Sequence, residues 1–246
     1  MQRSDSGQAL LYAKGITKRF GGLVAVSDVS FEVFPKEIVG LIGPNGAGKS
    51  TTFNLISGYY QLTAGGLSFE DEATDGKSFW QLARLGLVRT FQHDSLLKDM
   101  SVRDNITVGA YRFIRDARAR ADRVQETAKI FDLERLLDEQ AKHLPHGAQR
   151  MLGMAIAFAS RPKLLCLDEP LTGFNQTEVN VAIETIRRLR DNFGTTILIV
   201  EHNMKAVMSL CERIIVLHHG RLIATGIPKE IQNNPAVVEA YLGKPQ

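Results

Sequence analysis

The sequence predicts an α/β fold with a helical insertion, and three observations carry that prediction. Short apolar runs alternate with amphipathic stretches toward both ends of the chain. A glycine-rich loop joins one of these runs to a helix-like segment. The middle of the chain has helical spacing, many charges and no sustained β-branched alternation. At 246 residues and 44% hydrophobic content, one well-cored domain is expected rather than two.

The first runs, Ala9 to Thr17, Val29 to Val33 and Ile38 to Ile42, are β-rich. The third leads directly into Gly43-Pro44-Asn45-Gly46-Ala47-Gly48-Lys49-Ser50-Thr51, and a helix opens from Ser50 onward. Strand, glycine-rich loop and helix in that order make a phosphate-binding loop. Glycine lets consecutive N–H groups approach a polyphosphate, and the following helix aims its positive end at the same anion. Lys49 is expected to neutralise the outer phosphates, and the Ser50 hydroxyl to ligate Mg2+. A nucleoside triphosphate is therefore the expected ligand.

Gly65 to Phe69 follows a Gly-Gly turn and is expected as an edge strand. Phe79 to Leu85 has helical spacing, and Gly86 to Thr90 returns to strand character. Residues from about 94 to 160 form the candidate helical insertion. Alternation then resumes with a buried strand at Leu164 to Leu167, an amphipathic helix at Glu178 to Arg190 and a strand at Thr195 to Val200. Met204 to Leu210 is expected helical and Arg213 to Leu217 extended, with Arg221 to Thr225 following the His219-Gly220 turn. Pro228 and Pro235 stand where short helices begin, the first-turn position that proline tolerates.

The second motif is Leu164-Leu165-Cys166-Leu167-Asp168-Glu169-Pro170. An apolar strand ending in two carboxylates suits a phosphate loop. Asp168, at the strand's end, is expected to hold Mg2+ through water, and Glu169 to polarise a water beside the γ-phosphate.

Composition narrows the partners. Thirty basic against 27 acidic residues give a net charge of +3, which does not point to nucleic acid and suits a position beside an anionic membrane. Cys166 and Cys211 match neither a disulfide framework nor metal spacing, so a reduced cytosol is the expected compartment. Cys166 sits in an apolar run, as a small buried hydrophobe does. No stretch approaches the roughly 18–20 apolar residues of a membrane span. The polar start, Met1 to Gln8, lacks the apolar core of a signal peptide and is expected to fray. Arg112, Arg115 and Arg118, with Arg120 and Arg123 nearby, are expected on a solvated helix face, partly neutralised by Asp116 and Asp122.

Through these two motifs the chain resembles the ATP-binding subunits of ABC transporters over essentially its whole length. The resemblance implies a P-loop NTPase core with an antiparallel β subdomain and an inserted α-helical subdomain, all within one domain spanning 1–246. The core would take about 9–93 and 161–246, and the helical subdomain about 94–160. Thr90-Phe91-Gln92 falls at the family's Q-loop, so Gln92 would reach Mg2+ and the catalytic water. Ile197 to His202 looks like the switch-histidine strand, in which His202 would bond the γ-phosphate and help to hold Glu169. Phe20 falls at the aromatic loop that stacks on adenine. Leu171-Thr172-Gly173-Phe174-Asn175 resembles the D-loop, with Asn175 where Asp is commoner; Asn175 also suits a helix N-cap before Glu178. No role is given to His93 or His143, and His218 and His219 are adjacent at a turn, which is poor ligand geometry.

The family's Leu-Ser-Gly-Gly-Gln signature is altered here to Leu144-Pro145-His146-Gly147-Ala148. Gly147 is retained, while Pro145 takes the serine position and Ala148 the glutamine position. In the family that serine donates its hydroxyl to the γ-phosphate held by the opposite subunit. The segments Arg89 to Gln92, Val200 to Met204, Ile227 to Ile231 and Asn233 to Gly243 look like the branched-chain amino acid uptake group. The implied function is ATP hydrolysis powering an importer for such amino acids or a related small polar solute. Implied partners are integral membrane permease subunits and a second ATP-binding subunit, the same or different. Membrane contact would come through those partners, at the cytoplasmic face of the plasma membrane. A soluble ABC ATPase of the iron–sulfur assembly type and a lipopolysaccharide export ATPase remain as alternatives.

Overall fold

Two sheets of different character meet beside the phosphate loop. The computed structural model describes residues 8–90, 96–111 and 113–242. The chain opens with a hairpin of long strands, β1 (Leu11–Phe20) and β2 (Leu23–Val33). Along the start of β1, buried Leu11 and Ala13 alternate with exposed Tyr12 and Lys14, as in a strand covered on one face. β3 (Ile38–Ile42) is buried at every residue, the mark of a strand covered on both faces. The phosphate loop and α1 (Lys49–Ile56) follow.

β4 (Ala64–Phe69) and the two-residue β5 (Glu72–Ala73) complete an antiparallel sheet of order β2-β1-β4-β5. The segment expected at an edge is thus interior. Glu70 and Asp71 both adopt positive φ, 50° and 61°, and this hairpin turn folds β5 back along β4.

Next come α2 (Phe79–Leu85), β6 (Leu87–Arg89), α3 (Val102–Tyr111), α4 (Ala117–Ile130) and α5 (His146–Ala159). The chain continues through β7 (Leu164–Asp168), α6 (Gln176–Phe193), β8 (Thr196–Val200) and α7 (Met204–Leu210). β9 (Arg213–His218), β10 (Arg221–Gly226), α8 (Pro228–Gln232) and α9 (Pro235–Leu242) close it. The second sheet has the order β10-β9-β3-β8-β7-β6, parallel throughout except for β10.

That parallel sheet separates two apolar clusters. Ile38 and Ile42 face one, with Leu152, Phe158 and Ile186 from α5 and α6; Val39 and Leu41 face the other, with Ile16, Phe31 and Phe53. The carboxyl ends of β3, β7 and β8 share one edge, where ligands of open α/β sheets bind.

The arginine face departs from expectation at Arg123, while Arg115 and Arg118 are exposed as expected. Arg112 lies outside the described residues. Arg123 is buried, and its guanidinium donates to the Phe158 carbonyl at 2.7 Å and the Ala159 carbonyl at 3.3 Å. It thereby satisfies the carbonyls left over at the end of α5, with Glu126 pairing at 2.7 Å. Asp116 is spent on capping α4, where it accepts from the Ala119 N–H at 2.7 Å.

Candidate active site

The phosphate loop owes its path to glycines at two tight places. A Cβ on Gly43 would lie 2.1 Å from the Leu217 carbonyl oxygen, and one on Gly48 would lie 2.7 Å from that of Ala25. Gly48 also takes φ 97°, a left-handed conformation open chiefly to glycine. The tip of the β9–β10 hairpin latches onto the loop: the Gly220 N–H donates to Ala47 at 3.0 Å, and the Ser27 N–H of β2 donates to Gly220 at 2.8 Å. The loop is therefore fastened to strands of both sheets.

No side chain caps α1, and no acidic residue stands in its first turn. Its first N–H groups and the positive end of its dipole are left for an anion. Lys49 is buried, and its ammonium donates to the carbonyls of Gly43 at 2.7 Å and Pro44 at 3.0 Å. Burial lowers its pKa, against the attraction of Glu169.

An open pocket of about 510 Å³ lies over the loop. Asn45, Gly46, Ala47, Gly48, Lys49, Ser50 and Thr51 line it, and Glu169 and His202 reach it from the ends of β7 and β8. Glu169 takes φ 48°, a conformation costly for a residue with a side chain, and its N–H donates to Val200 at 2.9 Å. His202 Nε2 donates to the Glu169 carboxylate, so the two side chains act as a pair.

Asp168 is buried behind this pair. Its Oδ2 accepts from Arg89 at 3.0 Å, while Oδ1 is buried with no hydrogen-bond partner among the described residues. Burial raises the Asp168 pKa, opposed chiefly by the Arg89 charge.

The predicted residues do not all converge here. Gly43 and Pro44 stand behind the pocket, holding Lys49 through their carbonyls. Phe20 is 42% exposed and lies edge-on to Tyr60, with ring centroids 5.2 Å apart, outside the residues lining the pocket. Gly147, in the first turn of α5, packs against Glu178 of α6 and is also outside that lining. Gln92 lies outside the described residues.

Sequence reasoning missed four contributors, the first of them His219, which it set aside as a turn residue and which lines the pocket beside Gly220. Leu23, Val24 and Ala25 of β2 wall one side of the pocket, and nothing in their sequence signals it. Arg89 donates to Asn54 at 2.6 Å and Ser57 at 2.9 Å as well as to Asp168, joining α1, β6 and β7. Glu201, 3% exposed, accepts N–H groups from Leu171 at 2.7 Å, His202 at 3.0 Å and Asn203 at 3.3 Å. Burial pushes its pKa up, against these donors. A buried acid next to the strand-end histidine was the available signal.

Comparison with known proteins shows the family. The family model described as ABC transporter matches residues 26–172, and the branched-chain amino acid ATP-binding cassette transporter model matches 221–245. The high-affinity branched-chain amino acid transport ATP-binding protein LivG of Escherichia coli (strain K12) is 40% identical, over 96% of this chain and 99% of its own. The lipopolysaccharide export system ATP-binding protein LptB of the same strain is 38% identical, over 96% and 98%. A crystal structure of the ADP conformation of an ATP-binding cassette of an ABC transporter superposes with a TM-score of 0.86 at 28% identity, covering 96% of this chain and all of that one. The chain belongs to the ABC transporter ATP-binding family, and so to the ABC-type ATPases.

Proposed function

We propose that this chain hydrolyses ATP to drive a membrane importer of branched-chain amino acids or a related small polar solute. It works with a second ATP-binding subunit and with integral membrane permease subunits at the cytoplasmic face of the plasma membrane. The observation that carries the hydrolytic reading is one pocket lined by the phosphate loop, Lys49 and the Glu169–His202 pair.

The loop N–H groups and Lys49 bind the phosphates. Glu169 accepts a hydrogen bond from the attacking water, and His202 fixes the direction of that carboxylate and bonds the γ-phosphate. Water attacks phosphorus in line and passes a proton to Glu169, the bond to the bridging oxygen breaks with its electron pair going to ADP, and inorganic phosphate results. Charge gathering on the transferred group meets the loop N–H groups and Lys49, whose ammonium has one N–H left beyond its bonds to Gly43 and Pro44. The residues present fit Mg2+: Asp168 keeps a buried Oδ1, unbonded among the described residues, and the exposed Ser50 hydroxyl adds a second hard oxygen donor. When bound, that ion neutralises phosphate charge. The adenine role of Phe20, the Q-loop role of Gln92 and the γ-phosphate role of Gly147 across a dimer interface rest on the family resemblance.

Among the described residues no helix is long and apolar enough to cross a membrane, so the reading requires separate permease subunits. The match over 221–245 and the likeness to LivG support amino acid cargo, while the likeness to LptB supports the export reading.

Glu169→Gln should bind ATP normally and hydrolyse it at least about a hundredfold more slowly. Lys49→Ala should weaken ATP binding about ten- to a hundredfold, the loss of a charge-assisted hydrogen bond. Normal turnover in both variants would overturn the hydrolytic reading. For the cargo, the complex isolated with its permease and placed in liposomes should hydrolyse ATP faster with leucine and the cognate binding protein outside. Stimulation by lipopolysaccharide instead would favour export.

A further inference from the structure

An exposed aromatic ring stands at the rim of the pocket. β1 and β2 turn over at Gly21 and Gly22, and Phe20 pairs directly with Leu23 across that hairpin. Directly opposed residues of an antiparallel pair project to the same face, so the Phe20 ring stands beside Leu23, which walls the pocket. A flat ring left partly open to solvent at such a rim is a stacking platform for a nucleobase.

Two side chains hold that ring. Tyr60 packs on the apolar cluster that contains Ile16 and Phe53, and it meets Phe20 nearly at right angles, with 76° between the ring planes. The Lys18 ammonium lies 5.1 Å from the Phe20 centroid and 5.6 Å from that of Tyr60, one cation shared by two rings. It is itself tethered, donating to the Gln61 carbonyl at 2.8 Å. The backbone repeats the stitch. The Arg19 N–H donates to the Thr63 hydroxyl at 3.0 Å, and the Thr63 N–H donates to the Thr17 carbonyl at 2.8 Å. Tyr60 in turn is fixed to α1, since its N–H donates to the Asn54 carbonyl at 3.1 Å. The helix whose start faces the phosphate site thus carries, just past its far end, the residue that braces Phe20.

We propose that Lys18 and Tyr60 are positioning residues that hold the Phe20 ring ready for the base of the nucleotide, with α1 fixing its distance from the phosphate loop. This brace rests on the proposed adenine role of Phe20. Neither Lys18 nor Tyr60 lines the pocket, so both act through that ring. A ring already held loses less freedom when a base stacks on it. The brace therefore tightens ATP binding and leaves the chemical step alone.

The test uses the full chain, with the ATP dissociation constant read by calorimetry and KM and kcat by turnover. Phe20→Ala should weaken ATP binding about tenfold, the loss of one stacking platform. Tyr60→Ala and Lys18→Met should each weaken it about three- to fivefold, with KM rising in step and kcat within about twofold. Tyr60→Phe keeps the ring and Lys18→Arg keeps the cation, so both should bind ATP within about twofold of wild type. Added to Phe20→Ala, neither Tyr60→Ala nor Lys18→Met should weaken binding further, because the ring they hold is gone. Wild-type affinity in either single variant, no recovery in its conservative counterpart, or further weakening beside Phe20→Ala would each overturn the brace. If Tyr60→Ala does not fold, the Lys18 variants decide. Phe20→Ala also separates the two readings. Normal ATP binding in that variant removes the adenine role itself; weakened binding there, beside normal Tyr60→Ala and Lys18→Met, removes only the brace.

Discussion

At the residue scale, burial decides which groups can react. Cys166 and Cys211 are both enclosed in apolar surroundings, which push their thiols up to about 12. The thiolate is the reactive species, and it is scarce at pH 8. Neither cysteine should take up a maleimide in the native protein at that pH, whereas both should do so in denaturant; mass spectrometry of timed samples measures this. Lys49 and Glu169 were legible as pocket residues because each belongs to a local pattern, a loop or a strand end, that chain order alone sets, whereas His202 was placed by the family resemblance. Arg89 and Glu201 were not legible. Arg89 joins Asn54 and Asp168, 35 and 79 residues away, and Glu201 reaches back 30 residues to Leu171. Such convergence exists only after the sheet has formed.

At the element scale, helix ends matter most where the chain enters the site. Asn175 accepts from the N–H groups of Thr177 at 2.9 Å and Glu178 at 3.0 Å, and Glu178 returns the bond to the Asn175 N–H at 2.8 Å. This reciprocal cap starts α6 just beyond the turn at Gly173. Asn175→Ala should cost about 1 kcal/mol in denaturant unfolding, while Asn175→Asp should be near neutral because it caps equally well. β3 and α2 appear over the residues that their sequence patterns predict, since uninterrupted apolar runs and helical spacing are strong local signals. The β1–β2 hairpin was legible only in part. β2 begins at Leu23, well before Val29, and register shifts between Ala13 and Arg19 break the alternation of period two on which such a reading depends. The role of Arg123 was hidden for a related reason: a buried guanidinium capping another helix has the same local sequence as an exposed one.

At the scale of the whole molecule, the start of α5 is the anomaly. Pro145 caps that helix without a side-chain hydrogen bond, and proline has neither a hydroxyl nor an N–H to offer. If a second subunit presents its phosphate here, one hydrogen bond to a charged group is missing, worth on the order of 1.5–3 kcal/mol. Pro145→Ser should therefore hydrolyse ATP faster or dimerise more tightly with ATP, as read by turnover and light scattering. Unchanged values in both would mean that the neighbouring N–H groups already suffice. The fastening of the phosphate loop to Ser27 through Gly220, and its closeness to Ala25, has a wider effect. The loop works as a rivet through two sheets whose facing sides already share one apolar cluster. ATP at a hundred times its dissociation constant adds about 2.7 kcal/mol to the folded state. Because the rivet is shared, that protection should spread to the β1–β2 hairpin. Limited digestion should then find the hairpin as slow to be cut as the parallel core whenever ATP is bound.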